Sequence, residues 1–117
     1  MRLLMLIVAL LMSGAAAVAG PLEDGFAAYE KGDYASALRL WRPLAEQGDA
    51  YAQYSLGLMY EKGQGVPKDF VQAHMWLNLS AGLGDANATK NRDRFAEKLT
   101  LAQIAEAQKL AREWKPK

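Results

Sequence analysis

The chain has no cysteine and a single histidine, His74. No disulfide can hold it, so its fold must rest on packed apolar side chains. A zinc site draws three or four ligands, mostly Cys and His, and this chain lacks the set. His74 therefore reads as an ordinary surface or rim residue. No segment alternates apolar and polar residues with period two, so no sheet is expected. Charge of one sign is lacking too: the formal net charge is +1, too small and too mixed to suggest nucleic acid. Ser13, Ser36, Ser55 and Ser80 are the only serines, and none stands in a G-x-S-x-G elbow. Gly63-Gln64-Gly65 is not followed by Gly-Lys-Ser/Thr, so it is not a phosphate loop. Neither catalytic nor cofactor-binding nor metal-binding residues are assigned, and the chain is not expected to be an enzyme.

Long apolar runs are missing everywhere but at the start. Met1-Arg2 brings one positive charge, Leu3 to Met12 is unbroken apolar, and Ser13 to Ala19 is rich in small residues. Ala15-Ala16-Ala17 and Ala17-Val18-Ala19 both fit an A-x-A cleavage site. Charged start, short apolar core and small-residue exit together predict a secretory signal peptide over residues 1–19. The apolar core is shorter than the about 20 residues that a membrane-spanning helix needs. The expected product is residues 20–117, periplasmic or secreted, with no membrane span after cleavage. The missing cysteine also removes the bacterial lipoprotein route, which needs a lipidated Cys.

The remaining charge is unevenly placed. Gly20 to Asp85 holds 5 basic and 9 acidic residues, and Ala86 to Lys117 holds 8 basic and 4 acidic. Such a mild dipole can steer a charged partner or favour head-to-tail contact between copies. The basic stretch Lys90, Arg92, Arg94 and Lys98, interrupted by Asp93 and Glu97, reads first as a solvated helix face with local ion pairs.

What the chain does have is a repeat. Asp33 matches Asp69, Ala37 matches Ala73, Ala45 matches Ala81, and Gly48-Asp49-Ala50 matches Gly84-Asp85-Ala86, all 36 residues apart. A period in the thirties in an Ala- and Leu-rich chain indicates stacked helical hairpins. The breaks agree: at Gly32-Asp33, Gly48-Asp49 and Gly84-Asp85 a glycine ends one helix and an aspartate caps the next. This is a better account of Asp33, Asp49, Asp69 and Asp85 than paired catalytic carboxylates. Between the breaks, apolar residues recur at helical spacing, as in Ala37, Leu38, Trp41, Leu44 and Ala45. Six helices are predicted: 22–31, 34–47, 50–62, 69–81, 86–98 and 101–114. The last opens on the capping box Thr100-Leu101-Ala102-Gln103. Trp41 and Trp76 are expected to fill the space between hairpins, and Ala37, Gly57 and Ala73 to let helices approach closely.

Ala52-Gln53-Tyr54-Ser55-Leu56-Gly57-Leu58-Met59-Tyr60 runs into Gly63-Gln64-Gly65-Val66-Pro67-Lys68-Asp69, then Ala73, Trp76, Ala81 and Gly84. This resembles the Sel-one-like repeat family, relatives of the tetratricopeptide repeats. One unit carries the whole pattern. The hairpin before it, with its short Gly32-Asp33-Tyr34 turn, is more similar to a tetratricopeptide unit, and the last two helices resemble a capping pair. The resemblance implies an all-α fold: a short right-handed α-α solenoid of two helical hairpins plus a C-terminal capping helix pair. It also implies an adaptor that binds a protein or peptide partner in the cell envelope. Superposing the tetratricopeptide pattern on Leu56-Gly57 and Tyr60 turns Tyr51, Tyr54, Leu58 and Glu61 toward a binding groove, joined by Phe26 and Tyr29. The competing reading buries Tyr54 and Phe26 between hairpins. Two other functions stand beside the adaptor: a cell-wall or β-lactam hydrolase, tied in the family to cysteine-rich members, and a homo-oligomer that stacks end to end.

Overall fold

The computed structural model describes residues 20–117; residues 1–19, on which the signal-peptide expectation falls, lie outside the described residues. Six helices follow one another: α1 (Pro21–Glu30), α2 (Tyr34–Glu46), α3 (Ala50–Lys62), α4 (Phe70–Gly82), α5 (Ala86–Ala96) and α6 (Leu101–Glu113). Among the described residues there is no strand. The predicted boundaries hold to within a residue or two.

The aspartates do the capping that their spacing implied. The Asp33, Asp49, Asp69 and Asp85 carboxylates accept from the backbone N–H groups of Ser36, Ala52, Gln72 and Ala88, at 2.8–3.2 Å. Each bond satisfies a free donor at a helix start, a contribution of about 1 kcal/mol. Between α2 and α3 the chain turns at Gly48, whose φ of +101° a side chain would oppose. At α6 both bonds of the capping box form: Thr100 Oγ1 accepts from Gln103 N at 3.1 Å, and Gln103 Oε1 accepts from Thr100 N at 2.9 Å.

From α1 to α5, helices adjacent in the chain pack on one another, as in a solenoid. The core is made of Ala37, Trp41 and Ala45 from α2, Ala52, Leu56 and Met59 from α3, and Met75 and Trp76 from α4. Leu56 is wholly buried, and burying such a side chain stabilises by roughly 1.5–3 kcal/mol. Close approach of α3 and α4 depends on Gly57, where an added Cβ would lie 2.8 Å from Leu77 Cγ. Two side chains tie helix ends together: Ser80 Oγ donates to the Ala50 carbonyl at 2.6 Å, and Gln53 Nε2 to the Ala45 carbonyl at 3.1 Å.

The final helix does not extend the stack. α6 packs on α4, with Trp114 edge-on to Trp76 at 6.2 Å between ring centroids. The tail then returns to α2, where the Lys117 N–H donates to the Glu46 carbonyl at 2.8 Å. α5 buries Ala88 and Phe95 and exposes Lys90, Asp93 and Arg94, and the turn after it exposes Glu97 and Lys98. That polar outer face is what a terminal capping helix carries.

Candidate functional site

A ladder of aromatic rings links the first three helices. Tyr29 lies 5.8 Å from Trp41, Trp41 6.4 Å from Tyr51, and Tyr51 6.4 Å from Tyr54, centroid to centroid. The ladder exists because α1 and α3 flank α2 and turn the same face outward. On α3, Tyr51, Tyr54, Ser55 and Leu58 fall at helical spacing and form that face. Trp41 of α2 sits beneath, 2% exposed, and its Nε1 donates to the Leu22 carbonyl of α1 at 3.0 Å.

Between these helices lies a cavity of about 210 Å³ lined by Phe26, Tyr29, Trp41, Tyr51, Tyr54, Ser55 and Leu58. Five of the six residues read as groove residues thus meet in one place. A second cavity, lined by Leu22, Glu23, Phe26 and Tyr51, adjoins it. Phe26 and Tyr51 line both and remain 44% and 40% exposed. The reading that buries Phe26 between hairpins therefore fails; Tyr54 is half-buried. Glu61 stands apart from this cavity, about one turn further along α3, and its Oε2 is buried without a hydrogen-bond partner.

The cavity walls are held from outside. Tyr29 donates its hydroxyl to Gln64 Oε1 at 2.8 Å, which fixes α1 to the loop after α3. Asn91 of α5 donates its Nδ2 to the Tyr54 hydroxyl at 3.2 Å. Burial, and then the charge of Asp85, push the Tyr54 phenol above its ordinary value, so it stays neutral. Rings fixed in this way lose little freedom when something packs against them. Ser55 and the two anchoring amides were missing from the sequence reading. The spacing Tyr51–Ser55–Leu58 carries the signal for Ser55; Gln64 and Asn91 carry none, because they lie on other elements.

His74 is corrected. It is 3% exposed, buried in α4 rather than at the surface or rim. Its neighbours Ala73, Met75, Trp76 and Leu77 are buried as well, because α4 is packed by α3, α5 and α6. Nδ1 has no hydrogen-bond partner, and burial, followed by the charge of Arg92, lowers the imidazole below its ordinary pKa. Among the described residues no three or more of His, Asp and Glu are grouped to hold a metal ion. The basic stretch on and after α5 is the solvated face expected of it, with one local ion pair. Arg92 pairs with Asp93 at 3.1 Å, but among the described residues Lys90, Arg94 and Lys98 form no salt bridge.

The family model for the Sel1 repeat matches residues 14–49 and 50–85. Both hairpins are thus recognised, where the sequence reading found the full pattern in the second alone. No curated protein matches the chain. Among solved structures, it is similar to a protective antigen of uropathogenic Escherichia coli strains that displays an SLR fold. The identity is 32%, the TM-score is 0.74, and the match covers 80% of this chain. The chain spans 21% of that protein's length.

Proposed function

The chain belongs to the Sel1 repeat family, and from that premise we propose that it is an exported adaptor that binds a protein or peptide partner through the groove between α1 and α3. Family and fold describe a helical-repeat protein-interaction module. The observation that carries the finer reading is the open aromatic cavity, with Phe26 and Tyr51 half-exposed at its rim. Large, rigid rings at the edge of an apolar hollow are what peptide anchors pack on. The tripartite N-terminus supports export to the periplasm or beyond. No helix among the described residues is long and apolar enough to cross a membrane.

Two measurements test this. The N-terminus of the protein recovered from its cells is expected after Ala17 or Ala19; recovery from the membrane with Met1 intact overturns export. Affinity capture from the envelope is expected to bring down a partner that is lost with Tyr51→Ala plus Leu58→Ala while helicity by circular dichroism persists. A partner retained by that variant removes the groove from the account.

A further inference from the structure

The cavity is uncharged, but the face that it opens on is not. One repeat length of 36 residues beyond Tyr51, Tyr54, Leu58 and Glu61, α5 carries Asn87, Lys90 and Arg94, and Glu97 follows its last residue. By that register Lys90 and Arg94 occupy on α5 the column that Tyr54 and Leu58 occupy on α3. The hydrogen bonds bear this out for Arg94. Its Nη2 donates to Asn91 Oδ1 at 2.7 Å, and Asn91 in turn donates to the Tyr54 hydroxyl at 3.2 Å. Arg94 is therefore one side chain removed from the cavity wall. Lys90 and Arg94 are exposed, and among the described residues neither is in a salt bridge. Asp93 is engaged by Arg92, whose Nη1 donates to Asn78 of α4 at 3.1 Å. At the other end, the adjoining cavity includes the carboxylate-bearing Glu23.

We propose that the groove selects an acidic peptide segment. An aromatic or large aliphatic side chain sits among Phe26, Tyr29, Tyr51 and Tyr54, and one or two carboxylates on one side of it meet Lys90 and Arg94. This rests on the groove reading above. Asn91 bridges Tyr54 of α3 to Arg94 of α5; a helix with its side chains is about 10 Å across and an extended chain advances about 3.3 Å per residue, so the carboxylates follow about three positions from the anchor. The anchor supplies buried area; the charges supply direction and rate of encounter. Glu23 repels a carboxylate at the opposite end, so acid on that side is disfavoured.

Dye-labelled peptides of about ten residues test this by fluorescence anisotropy on the purified protein. They share a Phe anchor and differ in carrying two glutamates about three positions after it, two before it, or two lysines in either place. One acidic order is expected to bind about tenfold tighter than its lysine counterpart, with the gap closing between about 0.05 M and 0.5 M salt. Lys90→Glu with Arg94→Glu is expected to remove that preference, while Lys109→Glu with Lys115→Glu on and after α6 leaves it. Should the double reversal disturb the circular dichroism spectrum, Arg94→Gln alone is expected to lower the preference about threefold. Equal binding of acidic and lysine peptides overturns the charge selection. If Tyr51→Ala plus Leu58→Ala still abolishes that binding, the groove itself stands. Polyglutamate competing as well as the anchored peptide also overturns the proposal, as does no peptide binding at all. In the last case the fate of the groove rests on envelope capture.

Discussion

A Cβ placed on Gly25 would lie 2.3 Å from Trp41 Nε1. The glycine is in α1, where alanine is intrinsically favoured, yet the indole of α2 occupies the space a methyl group would take. The same indole donates to the Leu22 carbonyl, one turn earlier, and forms part of the cavity wall. Helix propensity and packing thus oppose each other at this position, and magnitudes decide between them. Gly→Ala gains about 1 kcal/mol of propensity in a helix interior. Forcing a buried, hydrogen-bonded Trp aside costs about 1–3 kcal/mol, and more when its bond to Leu22 breaks.

Gly25→Ala is therefore expected to destabilise the protein by about 1–2 kcal/mol net. Gly82→Ala is the control, since a Cβ at the end of α4 meets nothing within 4 Å. Urea denaturation of the two variants is the measurement. A lower midpoint for Gly25→Ala with an unchanged or higher one for Gly82→Ala is the expected pair.

The contrast between these glycines marks what the sequence could reveal. The helices and their starts were legible because they depend on local rules: Asp33, Asp49, Asp69 and Asp85 cap in the places that a 36-residue period puts them. That Tyr51, Tyr54 and Leu58 share one face, which lines a cavity with Phe26 and Tyr29, was legible because the family pattern fixes the phase of α3. Gly25 was not, because its reason lies on α2. His74 was misplaced for a similar cause: other helices pack on α4, among them α5, which brings Arg92 and Asp93 close to the imidazole, and nothing local in Phe70–Gly82 announces that cover. Burial imposed by a distant element is invisible to periodicity alone.

His74 gives a pH dependence whose sign follows from its burial. In the folded chain, burial and the charge of Arg92 disfavour the imidazolium, while Asp93, also from α5, favours it weakly. The folded pKa is lowered, so below the unfolded value of about 6.5 the unfolded chain binds more protons. The stabilising contribution of neutral His74 is present above about pH 6.5 and is lost progressively as pH falls from there toward the folded value. Thermal unfolding at a series of pH values from about 8 to about 5 is expected to show this decline, and His74→Gln to flatten it. A wild-type midpoint that holds steady across that window contradicts the prediction.

α6 is a strap rather than a further repeat, and its grip should be measurable. Trp114 meets Trp76 edge-on, and the Lys117 N–H donates to the Glu46 carbonyl of α2. Trp114 is half-buried, so Trp114→Ala is expected to cost roughly 2–3 kcal/mol, less than truncation of a fully buried Trp. Because α6 packs on α4, which also supports α3 and α5, the loss is expected to lower a single cooperative transition. A separate early transition, with the rest of the chain unaffected, would mean that α6 folds on its own account.

The loop after α3, which joins the two helices of the second hairpin, is longer than the turn that joins those of the first, and it is used. Gln64 receives the Tyr29 hydroxyl, and Gly65, at φ +74°, packs against the first turn of α2. A Cβ on Gly65 would lie 2.9 Å from the Tyr34 carbonyl oxygen. Gly48 is also left-handed, at φ +101°, but a Cβ there meets nothing within 4 Å. The two positions therefore separate backbone strain from crowding. Gly48→Ala is expected to cost about 1–2 kcal/mol from the left-handed conformation alone. Gly65→Ala carries that cost and a backbone clash as well, for a total of about 2–4 kcal/mol. The clash pushes the loop from α2, and Gln64 moves with it, so the Tyr29 wall of the cavity loosens. Chemical denaturation gives the order of the two costs, and the near-ultraviolet circular dichroism of the Tyr29–Trp41 cluster reports the wall. An equal cost for both variants, with an unchanged aromatic signal, would show that the loop tolerates the added methyl and does not set the cavity.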